Sequence, residues 1–213
     1  MNGITQSTAL WYVSRATGVV SLLLLTGIVV LGILVNRQGR LPGLPRFVVT
    51  GLHRNLSLLG VAFVALHVIT AIADPYVTIR IAAVVIPFAS SYKPFWLGLG
   101  AISLDLVAAL IVTSLARARM SRRAWRGLHW FSYAAWGSAV VHSFGASNDL
   151  HRGVLLYLAI ACCLVVAGAV IWRITHAGRE LPREERAAAT LEMMSPGSIR
   201  DTRSQRRDAE NIR

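Results

Sequence analysis

Residues 51–70 read GLHRNLSLLGVAFVALHVIT, and residues 127–144 read GLHWFSYAAWGSAVVHSF. Both stretches are apolar, and each carries a histidine near either end. His53 and His67 are fourteen apart; His129 and His142 are thirteen apart. An ionisable side chain inside a membrane helix is costly and marks a functional site by default. Two helices, each with one histidine near each end, make two histidine pairs stacked across a bilayer. A neutral imidazole is a good metal ligand, and two of them fill both axial positions of a haem iron.

The rest of the chain supports a membrane setting. It has 213 residues, 54% of them hydrophobic, and a mean hydropathy of +0.54. A spanning helix needs about 20 mostly apolar residues. Five segments qualify: Trp11–Val35, Phe47–Ala73, Phe95–Ala116, Trp125–Phe144 and Gly153–Ile174. The runs are continuous rather than alternating, so they predict helices and not a strand barrel. The first segment has no basic residue before Arg15 and is longer than a secretory apolar core, so it reads as a retained span. The expected fold is an all-α integral membrane bundle of about five helices holding two stacked b-type haems over residues 1–176. Residues 177–213 read as a charged, largely disordered cytoplasmic tail.

The net charge of +12 is a matter of topology rather than nucleic-acid binding. Up to His176 there are fourteen basic residues against three acids, while the tail carries eight arginines against seven acids. Arg37, Arg40, Arg46 and Arg54 cluster between segments one and two, and Arg117, Arg119, Arg122, Arg123 and Arg126 between three and four. The positive-inside bias places those loops and the C-terminus in the cytoplasm of a multi-pass cell-membrane protein, with the N-terminus outside. Segments two and four then run the same way. His53 pairs with His129 near the inner face, and His67 with His142 near the outer face. Fourteen residues rise about 21 Å, so two such levels fit within a hydrocarbon core of about 30 Å.

Thirteen residues on segment four miss a common face by about 140°, so a straight helix cannot present both histidines one way unless the two sites approach it from different flanks. Gly137 offers a place for a bend. Arg54, beside His53, and Arg126, before His129, are the best partners for haem propionates. Arg15, Arg80, Lys93 and Arg152 are available at the outer level. Trp136 lies midway between His129 and His142, either between the macrocycles or simply in the core. Asp105 is the one acid well inside a span; it either accepts a hydrogen bond from the Trp136 indole or a serine, or marks a proton path. The apolar stretch Val77–Pro87 is too short to span and lies over the outer level or along the surface. Cys162 and Cys163 are adjacent, and no C-x-x-C-H is present for covalent haem. Gly98-Leu99-Gly100 sits in a span without a preceding strand, so it is not a dinucleotide fingerprint.

The pairs H-x13-H (His53, His67) and H-x12-H (His129, His142) resemble the ferric reductase-like transmembrane domain. That superfamily includes ferric reductases, NADPH oxidases and the haem subunit of the bacterial methionine sulfoxide reductase system. The resemblance runs from about Ser14 to Thr175. It implies a helical bundle holding two non-covalent b-type haems, with these four histidines at the ligand positions. Electrons would pass from a cytoplasmic donor to an outer acceptor. Many members have six spans, and ferric reductases and NADPH oxidases continue into an FAD and NAD(P)H domain. This chain therefore looks like a stand-alone haem subunit. Its expected partners are a separate flavoprotein or quinol as donor, and ferric iron, a flavin domain, a reductase subunit or oxygen as acceptor. The competing expectations are a quinone-linked cytochrome b of another bundle family and a haem-free transporter or scaffold.

Overall fold

The computed structural model describes residues 2–36, 46–75, 77–146 and 153–175. The expected tail 177–213 and residues Arg37, Arg40 and Arg152 lie outside them. The chain divides into two compact units, Met1–Val170 and Ile171–Arg213, and His53, His67, His129 and His142 belong to the first. Among the described residues there are helices and no strands. The helices are α1 (Asn2–Asn36), α2 (Arg46–Ala73), α3 (Ala82–Val85), α4 (Pro94–Leu115), α5 (Arg122–His129), α6 (Phe131–Ala146) and α7 (Val154–Thr175). A 3-10 turn, Ala116–Arg119, links α4 to α5.

Four helices among the described residues are long and apolar enough to cross a membrane: Ala9–Leu34, Phe47–Ala73, Pro94–Arg119 and Val154–Thr175. Segment four, expected as one span, is instead two helices of eight and sixteen residues. The break falls at Trp130, not at Gly137, which lies inside the continuous α6. At the join, Trp130 N–H donates to the Gly127 carbonyl at 3.2 Å and Tyr133 N–H to the Trp130 carbonyl at 3.1 Å. These three-residue bonds tighten the backbone locally to 3-10 geometry, which winds about 20° further per residue than an α-helix. Ser121 starts α5 by accepting from Ala124 N–H at 3.2 Å, an N-cap of the usual kind.

The first unit is built from two antiparallel hairpins, α1 with α2 and α4 with α6, joined along α1 and α6. A core of Val29, Ile33 and Val166, with Tyr133 and Trp136 packed against it, ties α1, α6 and α7 together. Its polar link is Trp136 Nε1–H, which donates to Thr26 Oγ1 at 3.0 Å, while Thr26 itself donates to the Leu22 carbonyl at 2.8 Å. Satisfying both ends of that hydroxyl matters where no water can substitute. The second hairpin is pinned by Ser103 Oγ–H to the Ala135 carbonyl at 2.9 Å. The helices that carry the histidines, α2 on one side and α5 and α6 on the other, are not closely packed against each other.

Candidate functional site

The histidine rings meet across the gap between α2 and the α5–α6 segment of the bundle. His53 and His129 have ring centroids 6.4 Å apart, and so do His67 and His142. His129 on α5 and His142 on α6 thus both face α2 despite their thirteen-residue spacing, with the turn at Trp130 between them. A separation of 6.4 Å is too wide for an imidazole–imidazole hydrogen bond. An imidazole nitrogen stands about 2 Å from a bound transition metal, with its ring centre about 1.2 Å behind it, so two rings on opposite sides of one metal lie about 6.4 Å apart. Both pairs have that spacing.

The same local device positions three of the four rings. His67 Nδ1–H donates to the Ser14 carbonyl at 2.7 Å, and His142 Nδ1–H to the Trp96 carbonyl at 2.8 Å. A carbonyl only accepts, so Nδ1 carries the proton and Nε2 keeps a lone pair for a metal. Four residues after each carbonyl stands a glycine that touches the same ring. A Cβ at Gly18 would lie 2.9 Å from His67 Cε1, and one at Gly100 would lie 2.7 Å from His142 Nδ1. In a helix the Cβ of residue i+4 leans back over the carbonyl of residue i. Glycine removes that cover and opens the carbonyl to a ring from the next helix. His53 repeats the pattern in looser form: its ring faces the Ile28 carbonyl, and a Cβ at Gly32 would lie 3.5 Å from its Cε1. His53 Nδ1 is buried and lacks a hydrogen bond of good geometry.

His129 is placed differently. Trp125, one turn earlier on α5, stacks on it with ring centroids 4.8 Å apart and planes at 23°. The Arg117 guanidinium lies 4.5 Å from the centre of the Trp125 ring. In the sequence Trp125 counts as part of a span and Arg117 as a topological charge; the signal for their role is the i, i+4 spacing of Trp125 and His129.

Around His67 and His142 is a cavity of about 330 Å³ lined mainly by apolar side chains, with Ser14, Arg15, Ser21, Asp74 and Tyr92 supplying polar groups. Val77, Ile79, Ala83 and Val84 line it too, so the stretch before and within α3 lies over this level, as one of its two expected placements had it. Arg15 lies over the Trp11 ring, 4.1 Å from its centre. Phe88, at φ 66°, sets its ring against Gly98, and Lys93 Nζ donates to the Gly145 carbonyl at 3.1 Å, holding the end of α6. Gly98 and Gly100 thus serve as two packing seats, one for Phe88 and one for His142.

The other expected residues are spread more loosely. Arg54 and Arg126 are exposed near His53 and His129. Trp136 donates to Thr26 rather than to Asp105, and Ser103 to Ala135, so neither expected hydrogen bond to Asp105 forms. Among the described residues no group of three or more His, Cys, Asp or Glu could hold a bare metal ion. Two facing nitrogens suit a metal that brings its own equatorial ligands.

A family model, the ferric reductase like transmembrane component, matches residues 17–140, more than half of the chain. The chain belongs to that family. The match contains His53, His67 and His129 and ends two residues before His142. No curated protein and no solved structure matches the chain. The family and the apolar helices together make this ferric reductase-like chain a multi-pass membrane protein.

The donor set fits haem. Two neutral imidazoles face each other at each level, and two of the four have their tautomer fixed. The buried polar atoms without partners among the described residues are Ser21 Oγ, His53 Nδ1 and Trp125 Nε1. Ser21 lines the His67–His142 cavity, His53 belongs to the other pair, and Trp125 stacks on His129. A buried donor left unpaired costs about 1–3 kcal/mol, so these orphans mark where a polar-edged group belongs.

Proposed function

We propose that this ferric reductase-like protein carries electrons across the membrane through two b-type haems, one between His53 and His129 and one between His67 and His142. The observation that carries this reading is the pair of facing imidazoles at 6.4 Å, repeated at two levels. Haem with both axial positions filled supplies one-electron transfer rather than ligand chemistry.

The chain's own residues do the rest. His67 and His142 would hold one haem through Nε2, and His53 and His129 would hold the other. The Ser14 and Trp96 carbonyls hold the Nδ1 protons of His67 and His142 and so fix ring orientation. Gly18, Gly32 and Gly100 let α1 and α4 approach those rings. Apolar side chains around the His67–His142 cavity keep water from that level. Arg54 and Arg126 stand where they can meet haem propionates from the solvent side, and Trp136 fills the helix core between the two levels. The arginine-rich ends of α2 and α5 face the cytoplasm by the positive-inside rule, which makes His53–His129 the inner pair and His67–His142 the outer. A separate flavoprotein or a quinol delivers electrons inside. Ferric iron, a flavin domain, a reductase subunit or oxygen receives them outside.

The test is a reduced-minus-oxidised spectrum of the purified chain with a haem count. Two b-type haems per chain are expected. His53→Ala and His129→Ala should each remove the same one, and His67→Ala and His142→Ala the other. A chain without b-type absorbance, or one that keeps its full haem complement in all four variants, overturns the reading. Reduction by a quinol alone would identify the donor class.

A further inference from the structure

The two histidine pairs are held by different chemistry. Both rings of the outer pair donate Nδ1–H to a main-chain carbonyl, at 2.7 and 2.8 Å. His53 Nδ1 makes no bond of good geometry, and among the described residues His129 makes none. What His129 has is the Trp125 ring against its face at 4.8 Å and 23°, with the Arg117 guanidinium over that indole at 4.5 Å. Three features of the chain converge on this contact. The i, i+4 spacing puts Trp125 and His129 on one face of α5. The 3-10 turn Ala116–Arg119 carries Arg117 back beside α5. The Ser121 cap fixes where α5 starts.

We propose that Trp125 and Arg117 are positioning residues of the inner pair: Trp125 fixes the plane of the His129 ring, and Arg117 raises the reduction potential of the inner site alone. This rests on the two-haem reading. Reduction of a site adds one negative charge to it. A cation about one Debye length away or closer stabilises the reduced form; Arg117 is solvent-exposed, so salt screens part of its field, and the Trp125 indole lies between it and His129. The outer pair has the opposite bias in its ligands, because a carbonyl accepting from Nδ1–H makes an imidazole more basic and favours the oxidised metal. Stacking also explains how His129 is oriented without the carbonyl and glycine that serve the other three rings.

The full-length protein in detergent micelles tests this by spectroscopic redox titration and low-spin electron paramagnetic resonance. The inner haem is identified as the one lost in His129→Ala. Arg117→Gln should lower the reduction equilibrium constant of that haem about three- to tenfold, about 30–60 mV for one electron, and leave the outer haem unchanged. Arg117→Lys, which keeps the charge, should retain the wild-type value. Trp125→Leu should change the resonance signal of the inner haem only, while Trp125→Phe, which keeps a ring to stack, should preserve it. Unchanged potentials in Arg117→Gln, equal shifts of both haems, or an unchanged signal in Trp125→Leu overturn the proposal. Loss of the inner haem from both Arg117 variants makes Arg117 a structural residue and overturns it as well. Absence of haem from the wild-type protein instead overturns the reading on which it rests.

Discussion

Replacing Gly100 by alanine should empty the outer site while leaving the fold nearly intact. The new Cβ would stand 2.7 Å from His142 Nδ1, 2.8 Å from Cε1 and 3.2 Å from Cγ. Three atoms of one ring are then inside normal contact, so the ring must recede by about 0.7 Å to reach ordinary van der Waals separation near 3.4 Å. That motion stretches its 2.8 Å bond to the Trp96 carbonyl to about 3.5 Å, beyond a useful hydrogen bond. The lost bond costs about 1 kcal/mol, and an off-rotamer ring about 0.5–1.5 kcal/mol more. Alanine returns about 1 kcal/mol of helix propensity. The net effect on folding is about 1 kcal/mol, but the ligand is displaced and its orienting bond is gone. Loss of an orienting partner of a metal-bound histidine costs about 10- to 100-fold in affinity. Gly32→Ala is the matched control, since its Cβ would sit at an ordinary 3.5 Å from His53 Cε1. A haem count on purified protein, with a thermal melt beside it, should give one haem per chain for Gly100→Ala, two for Gly32→Ala, and an intermediate value for Gly18→Ala. Full haem content in Gly100→Ala, or a larger loss in Gly32→Ala, would refute the seat as the cause of ring placement.

Thr26→Val should destabilise the protein by about 1–3 kcal/mol by leaving the Trp136 indole donor unpaired, whereas Thr26→Ser should restore the wild-type melt. Lys93→Met removes a cation from the C-terminal carbonyls of α6; a drop of about 0.5–1 kcal/mol is expected, read as a lower melting temperature with both haems retained. Arg54→Ala and Arg126→Ala, both at exposed side chains, should speed loss of the inner haem to apomyoglobin severalfold at low salt and much less at high salt; equal effects at both salt levels would remove them as propionate partners.

What the sequence made legible is what depends on local periodicity. The apolar runs follow from local composition, and the arginine bias, by orienting segments two and four the same way, leads to the ring pairs His53 with His129 and His67 with His142 that the structure brings together. The five-span expectation failed at one point, because nothing in Trp130 marks a helix break. There is no proline, and the break consists of two three-residue hydrogen bonds. The glycine seats were hidden for a different reason: Gly18 and Gly100 act on rings from other helices, and their meaning exists only once the helices are side by side. Asp105 drew attention as a lone acid in a span, yet the Trp136 indole found Thr26 across the bundle instead. Arg117 looked like one more topological charge until the turn after α4 brought it over Trp125.

The unequal spacing of the histidines bears on how the two hairpins meet. On α1 the elements that receive the α2 histidines are Ser14 with Gly18 and Ile28 with Gly32, and these are themselves fourteen residues apart. Two straight antiparallel helices keep register only if both repeat at the same interval, so α1 and α2 act as a ruler that fixes the depth of both levels. The second hairpin has one such element, Trp96 with Gly100, and a thirteen-residue interval that no straight helix can use. The helix turns at Trp130, and His129 on α5 faces His53 nonetheless. His129 has no facing carbonyl and glycine, and the stack on Trp125 orients it instead. The asymmetry between the two pairs therefore has two sources: the seat missing at His129, and the looser seat at His53, whose Nδ1 makes no bond of good geometry although α1 and α2 share the fourteen-residue interval.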